Sequence, residues 1–244
     1  MDGDWNHDRH RWRSFDLPII ASLTPPVSRT LRVVLLGPPA SGKGTQGRRL
    51  AEAFGLNYLG TGVLLRKHME QETDLGKLAS PILARGEYLP DHLICPILSD
   101  WLSCQSGGWV LDGFPRSLGQ AVFLDEWLTR CDLRLDAAIS LEVSFDEICI
   151  RMANRVECSD CHWTGHCEQS LESGICPRCH GYTRRRADDD KENFRSRHAE
   201  FVGLTQPVIE HYRRLNLLCS CDATPPQDEV ASRLLEKFIH QSLF

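Results

Sequence analysis

A pattern typical of a phosphate-binding loop occupies residues 37–45, which read GPPASGKGT. Glycines allow successive backbone N–H groups to turn toward one phosphate, and the N-terminus of a following helix adds its positive dipole end. Lys43 can reach the β and γ phosphates of a nucleotide. The strict pattern has Ser or Thr directly after the lysine, whereas here Gly44 precedes Thr45. Because an apolar run precedes the loop and a helical pattern follows it, we predict phosphate binding and not a surface turn.

Two Cys-x-x-Cys pairs form the second pattern with chemical meaning. Cys158 and Cys161 are separated by fourteen residues from Cys176 and Cys179. This spacing is typical of tetrahedral structural zinc, and four thiolates leave no open position for catalysis. The segment has little apolar content, so a metal would supply the folding energy that a core provides elsewhere. Substitute ligands are less favoured than two complete pairs, and the nearby candidates are His162, His166, Cys167 and His180.

An alternation of strands and helices is predicted to position these two patterns. The run at 31–36 is apolar at every position except Arg32, as expected for a strand buried on both faces. Gly55 is expected to end the first helix, and Pro207 to kink or break a later one. The predicted strands are 31–36, 109–112, 137–143 and 217–221, and the predicted helices are 44–54, 145–155, 190–215 and 226–240. This order predicts an α/β fold with a parallel sheet and helices on both faces.

Three segments depart from the alternation. Residues 61–90 look helical but lie between core strands, and residues 157–184 are rich in Cys, His, Gly and Arg without a helix or strand period. Each of these two is predicted to be a mobile subdomain inserted into the core. Residues 1–29 show no clean apolar period, so we predict a mostly disordered extension. Its acidic residues argue against a mitochondrial transit peptide.

Composition limits the function classes. The net charge of -5 over 244 residues argues against nucleic acid as the main partner, whereas a nucleotide needs only a local basic cluster. No apolar run is long enough to span a bilayer. Eleven cysteines, an odd number, without a signal peptide favour a reducing compartment, and we expect a cytoplasmic location. The remaining cysteines are predicted to be small buried residues: Cys95, Cys104, Cys131, Cys149, Cys219 and Cys221.

The loop motif Gly-x-Pro-x-x-Gly-Lys-Gly-Thr-Gln, together with the sequence LDGFPR at 111–116, resembles the adenylate kinase family. Further matching segments are Thr61-Gly62 with Arg66, Arg116 with Gln120-Ala121, Arg151 with Arg155, and RADD at 186–189 with Arg197 beyond it. The resemblance covers nearly all of 31–244. It implies a five-stranded parallel sheet of the P-loop NTPase type, flanked by helices. It also implies one domain at 30–244, with an NMP-binding insert at 60–90 and a zinc-bearing lid at 155–188.

The resemblance implies Mg2+-dependent, reversible phosphoryl transfer from ATP to AMP, giving two ADP, by a monomer without nucleic-acid or membrane partners. Such transfer needs two nucleotides held in line within dense positive charge, which Arg supplies well. Catalytic roles are implied for Lys43, Asp112, Arg116, Arg151, Arg155, Arg186 and Arg197. ATP binding is implied for Gly37, Pro39, Ala40, Ser41, Gly42, Lys43, Gly44, Thr45, Arg151 and Arg155. AMP binding is implied for Thr61, Gly62, Arg66, Gly113, Arg116, Gln120, Arg186 and Arg197.

Two positions depart from the family pattern. Val63 stands where the family usually has Asp, which would help to hold the water shell of Mg2+. Ala40 replaces a usual glycine, and we expect it to keep a negative φ.

Three rival functions stay open at this point. A UMP/CMP kinase is opposed by Gln120-Ala121 and by the long lid. A regulatory protein without catalysis is favoured by Val63 alone. A zinc-ribbon nucleic-acid binder is opposed by the acidic net charge and the phosphate loop.

Overall fold

The computed structural model describes residues 30–161, 163–167, 174–185 and 191–240. Several predictions fall on other residues and lie outside the described part of the chain. They are the disordered extension at 1–29, the role of His162 as a substitute ligand and the phosphate-binding role of Arg186.

Strands and helices alternate along the described chain. The strands are β1 (Arg32–Leu36), β2 (Asn57–Gly60), β3 (Trp109–Asp112), β4 (Ala137–Glu142), β5 (Arg155–Cys158), β6 (Thr164–His166), β7 (Thr183–Arg184) and β8 (Leu218–Asp222). The α-helices are α1 (Lys43–Phe54), α2 (Thr61–Glu70), α3 (Asp74–Ala84), α4 (Asp91–Ser103), α5 (Leu118–Arg130), α6 (Phe145–Asn154), α7 (Lys191–Glu200), α8 (Gln206–Arg214) and α9 (Gln227–His240). Strand β2 and helices α4 and α5 are not among the predicted elements.

Strand β1 is the centre of the five-stranded parallel sheet, whose order is β2-β3-β1-β4-β8. Val33 and Leu35 pack into the core on one face of the sheet, and Val34 and Leu36 pack into the core on the other. A strand covered on both faces is apolar along its buried length, which explains the run of apolar residues from Val33 to Leu36. The predicted α/β fold with five parallel strands is confirmed.

The strand order reverses direction at β1, because the chain first builds β2 and β3 on one side and later β4 and β8 on the other. Open parallel sheets bind ligands at such a switch point, beyond the carboxyl ends of the strands. The phosphate loop leaves β1 at this edge, and Asp112 ends the neighbouring strand β3. The topology therefore brings together two motifs that are far apart in sequence.

The cysteine-rich segment contains regular structure that the sequence pattern did not indicate. Strands β6, β5 and β7 form a small antiparallel sheet in that order. The sequence shows no strand period there because these strands have only two to four residues, too few to establish an alternation.

The long helical stretch that includes Pro207 is interrupted, as predicted. A π-helical turn at Phe201–Thr205 separates α7 from α8, and Pro207 lies in the first turn of α8. There the missing N–H of proline leaves no helical hydrogen bond unmade.

The burial predicted for six cysteines is only partly correct. Cys95 and Cys221 are buried, Cys149 and Cys219 are partly buried, and Cys104 and Cys131 are exposed. The two exposed residues are the C-caps of α4 and α5, where the chain leaves the helix at the surface. Among the described residues, none of the helices has both the length and the apolar character needed to cross a bilayer.

Candidate active site

A cavity of about 680 Å³ opens at the carboxyl edge of the sheet. Its lining includes the phosphate loop, the ends of β1 and β3, residues of α2, α6 and α7, strand β6 and the turn after β8. Every predicted ATP-binding residue lines it: Gly37, Pro39, Ala40, Ser41, Gly42, Lys43, Gly44, Thr45, Arg151 and Arg155. Of the predicted AMP-binding residues, Gly62, Arg66, Gly113, Arg116 and Arg197 line the same cavity.

The phosphate loop is held in a shape that needs its glycines. Gly37 has φ +141°, and a Cβ there would lie 2.7 Å from the carbonyl oxygen of Leu141. Gly42, with φ 93°, precedes the first residue of α1, which is Lys43. The N-terminus of α1 therefore faces the cavity, with its unpaired N–H groups and its positive dipole end available to an anion.

Ala40 contradicts the expectation of a negative φ. Its φ is 60°, in the left-handed region, where an alanine costs about 1–2 kcal/mol relative to ordinary backbone. The tight turn of the loop imposes this conformation, and a glycine would adopt it without strain.

Lys43 lies folded against its own loop. Its Nζ donates hydrogen bonds to the carbonyl oxygens of Gly37 at 2.8 Å and Pro38 at 2.7 Å. Desolvation lowers the pKa of Lys43 to about 7. The Asp112 charge opposes this shift, and the charges of Arg116, Arg197 and Arg155 add to it. The lysine thus sits in a strongly positive environment that an anionic ligand would relieve.

Neighbouring groups fix the guanidinium groups of Arg151 and Arg116. Arg151 donates from Nε to Glu147 at 2.8 Å and from Nη2 to the carbonyl oxygen of Ala223 at 2.7 Å. Arg116 donates from Nε to the carbonyl oxygen of Gly113 at 2.7 Å, and its guanidinium stacks 4.4 Å from the ring centroid of Tyr88. Guanidinium groups held in this way lose little entropy when they bind a phosphate.

Asp112 is engaged by a tyrosine from the next strand. The hydroxyl of Tyr58 donates to Asp112 Oδ2 at 2.7 Å. Desolvation and the Asp112 charge raise the pKa of Tyr58 well above its ordinary value. The tyrosine therefore stays protonated and acts as the donor.

Thr61 and Gln120 are buried and are not among the residues that line the cavity. The Thr61 hydroxyl lies within hydrogen-bond distance of the carbonyl oxygens of Asp112 and Gly113, at 3.2 and 3.0 Å. Gln120 accepts from the backbone N–H of Arg116 and donates to Asp91. Both side chains are buried and bond to the backbone of the segment from Asp112 to Arg116, at and beyond the end of β3. Their roles in AMP binding stay predictions.

The family model named Adenylate kinase matches residues 35–217 of this chain. The chain belongs to the adenylate kinase family. Among its relatives, the adenylate kinase of Streptomyces coelicolor is 38% identical over 211 residues, which cover 84% of this chain and 97% of the relative. That of Finegoldia magna is 34% identical over 209 residues, covering 84% and 97%. That of Thermodesulfovibrio yellowstonii is 37% identical over 205 residues, covering 82% and 95%.

The cysteine cluster of this adenylate kinase family member has the geometry of a tetrahedral metal site. The four sulfur atoms of Cys158, Cys161, Cys176 and Cys179 all lie within 4.8 Å of one another. The Cys158–Cys179 separation is 3.4 Å and the Cys161–Cys176 separation is 3.7 Å. A tetrahedron with zinc–sulfur bonds of 2.3 Å requires separations of about 3.8 Å.

Backbone N–H groups add to the metal site. That of Asp160 donates to the sulfur of Cys158, and that of Arg178 donates to the sulfur of Cys176. Such bonds stabilise thiolate charge, so the cluster fits a zinc ion.

Several cavity residues escaped the sequence patterns. They are Arg48, Tyr58, Tyr88, Glu147 and the turn residues 223–228 that follow β8. The turn could not be foreseen, because it comes from a distant part of the chain without a recognisable motif. Tyr58 lies in β2, a four-residue strand that ends at Gly60 and that the sequence patterns did not predict.

Proposed function

We propose that this protein transfers the terminal phosphoryl group of ATP to AMP, reversibly, giving two molecules of ADP. The observation that carries the proposal is the convergence of Lys43, Arg116, Arg155 and Arg197 on one cavity. Positive charge of this density stabilises the loose transition state of phosphoryl transfer, in which charge is spread over the equatorial oxygens.

The ATP phosphates would bind at the phosphate loop. Lys43 would exchange its two carbonyl acceptors for phosphate oxygens, so the buried ammonium would keep its hydrogen bonds. Arg151, anchored to Glu147 and to the turn after β8, would hold the ATP side of the cavity. Arg155 would add its charge from the first residue of the proposed lid.

The AMP phosphate would bind between Arg66 and Arg116. Arg66 is contributed by α2, within the proposed NMP-binding insert at 60–90, and Arg116 follows β3. Because Tyr88 and Gly113 hold the Arg116 guanidinium, its orientation is set before AMP arrives. Arg197 would approach the transferred group from α7.

The oxygen donors of the cavity suit Mg2+, which prefers hard ligands and keeps several of its waters. Asp112 and Thr45 both line the cavity, and Asp112 Oδ2 lies 3.4 Å from the position of a Cβ on Gly44. Bound with ATP, the metal would neutralise charge on the phosphates. Asp112 would accept hydrogen bonds from its waters.

A lid at 155–188 would exclude water from the reaction when it closes. Zinc held by Cys158, Cys161, Cys176 and Cys179 would give this lid a fixed shape without taking part in the chemistry. The monomeric state, the absence of nucleic-acid and membrane partners, and the cytoplasmic location remain predictions.

A coupled assay with ATP and each of AMP, CMP, UMP and GMP tests the proposal. We expect AMP to be phosphorylated much faster than the other acceptors, because a site built for one base leaves polar groups unpaired with another. Faster use of CMP or UMP at equal concentration would make the protein a pyrimidine nucleotide kinase. No transfer to any acceptor would favour a nucleotide-binding protein without catalysis.

A further inference from the structure

Tyr58 and Asp112 occupy neighbouring strands in a register that directs one side chain toward the other. Strand β2 pairs with β3 so that Tyr58 lies opposite Val110 and Gly60 opposite Asp112. Side chains two residues apart along a strand share a face, so Tyr58 lies on the same face as Asp112 and one step back from it. The hydroxyl spans this step and donates to Asp112 Oδ2 at 2.7 Å.

The Tyr58 ring packs closely against two glycines, Gly47 and Gly60. A Cβ on Gly47 would lie 2.8 Å from Tyr58 Cε2, and a Cβ on Gly60 would lie 2.9 Å from the hydroxyl oxygen. Neither distance is compatible with a side chain at those positions while the ring stays where it is. On the ring face, the Arg48 guanidinium stacks 5.0 Å from the centroid. The ring is therefore held by its close packing against Gly47 and Gly60 and by stacking against Arg48, and the hydroxyl is held by its own hydrogen bond.

We propose that Tyr58 is a positioning residue that fixes the Asp112 carboxylate for the water shell of the nucleotide-bound metal, a role that rests on the phosphoryl-transfer function proposed above. The neighbouring position that could supply a second carboxylate is Val63, whose aliphatic side chain lines the same cavity. The water shell must then depend more heavily on Asp112. With Oδ2 bound to Tyr58, the carboxylate samples fewer rotamers, and Oδ1 keeps its capacity to accept hydrogen bonds from water.

The variant Tyr58→Phe removes only the hydroxyl and keeps the ring between Gly47 and Arg48. We expect the Mg2+ concentration for half-maximal activity to rise several-fold, because the free carboxylate samples other rotamers. Excess Mg2+ should restore most of kcat, and KM for AMP should stay unchanged. A general disturbance of the cavity would instead lower kcat at every Mg2+ concentration and change KM for AMP.

Tyr212→Phe is the matched control. Tyr212 is a buried tyrosine of α8 whose hydroxyl lies 3.5 Å from Asp125 Oδ1, and it does not line the cavity. This variant also removes a tyrosine hydroxyl that lies near an aspartate carboxylate, but away from the cavity. We expect a loss of thermal stability without a change in the Mg2+ requirement.

A second readout needs neither metal nor catalysis. In nucleotide-free protein without added Mg2+, unfolding of the wild type, Tyr58→Phe, Asp112→Ala and the double variant forms a double-mutant cycle. We expect the two single losses of stability to be non-additive, since each removes the same hydrogen bond. Additive losses, or an unchanged Mg2+ requirement in Tyr58→Phe, would overturn the positioning role. A wild-type protein that fails to phosphorylate AMP would overturn the proposed function and leave the cycle as the test of the contact itself.

Discussion

Arg66 Nη2 and Glu157 Oε1 lie 2.9 Å apart and form an ion pair between α2 and β5. The two side chains are only 22% and 10% exposed. The pair therefore joins the proposed NMP-binding insert to the proposed lid at a site with little solvent screening. It also uses the guanidinium that we assign to the AMP phosphate, so the carboxylate and the phosphate would share one cation.

Glu157→Gln should lower KM for AMP several-fold. The carboxylate offsets the charge of Arg66 and repels a phosphate dianion, and an amide does neither. Steady-state kinetics with AMP varied at saturating ATP measure the effect. Glu70→Gln is the control, because Glu70 also joins α2 to the cysteine-rich segment, through a more exposed pair with Arg184 at 3.5 Å. A raised KM in Glu157→Gln would mean that the carboxylate orients Arg66 for AMP.

Lys43→Ala should reduce kcat by about 10²–10³ because one preorganised phosphate ligand is lost. The fold should persist, since the lysine bonds only to its own loop among the hydrogen bonds described for it. Initial rates and a thermal melt check both statements. Lys237→Ala, which removes a surface lysine bonded to the Ser220 carbonyl oxygen, should retain full activity. A near-normal rate in Lys43→Ala would remove the phosphate loop from the mechanism.

ATP binding should take up a proton above neutral pH. Desolvation and three neighbouring arginines hold the pKa of Lys43 at about 7, so the lysine is mostly neutral in the free protein at about pH 8.5. Phosphate charge raises that pKa, so the bound state holds more protons and ATP affinity falls as pH rises through this window. Calorimetry in buffers of different ionisation enthalpy measures the uptake. Lys43→Arg, which stays charged, should show none.

Purified protein should contain one Zn2+ per chain. A strong chelator should lower the melting temperature and open the segment around Cys158 and Cys176 first, because its short strands have few core contacts of their own. Elemental analysis and protease sensitivity, with and without chelator, provide the measurement. The parallel sheet should remain folded. A zinc content near zero, with a melting temperature unmoved by chelator, would rule the site out.

Val63→Asp should lower the Mg2+ concentration needed for half-maximal activity, because it adds a second carboxylate beside the one on Asp112. Titration of activity with Mg2+ gives the answer directly. Val63→Ala is the control, since it removes the isopropyl group without adding charge. An unchanged requirement in Val63→Asp would show that Asp112 alone satisfies the water shell.

Much of the fold was predictable because its signals are local. The apolar run of β1, the glycine after α1 and the proline in α8 each act within a few residues, and each predicted strand and helix of the core lies where expected to within two residues at its described ends. In the segment 61–90, which is also predicted to be helical, the last helix ends earlier, at Ala84. The phosphate loop and the two cysteine pairs are also local patterns. In the structure the loop residues line one cavity, and the four cysteine sulfur atoms form one cluster.

The contacts that complete the site depend on tertiary packing. Three such contacts are Arg151 with Ala223, Tyr58 with Asp112 and Arg66 with Glu157. In each pair the partners are far apart in sequence, and only the order of the strands or the packing of separate segments brings them into contact. Ala40 was predicted wrongly for a related reason: the surrounding loop imposes a positive φ, although alanine itself prefers a negative φ. Patterns in a single sequence report neither long-range packing nor the backbone conformation that a loop imposes on one of its residues.

The position of β1 in the sheet also has a consequence during synthesis. This strand is the first of the described strands to be made, yet both of its neighbours, β3 and β4, come from much later in the chain. At ribosomal rates, the delay before Glu142 has been added is roughly 5–20 s. During that interval this largely apolar strand has no partner on one edge until β3 has been made and none on the other until β4 has been made, so a nascent chain of this protein should be a substrate for chaperones that bind short hydrophobic segments.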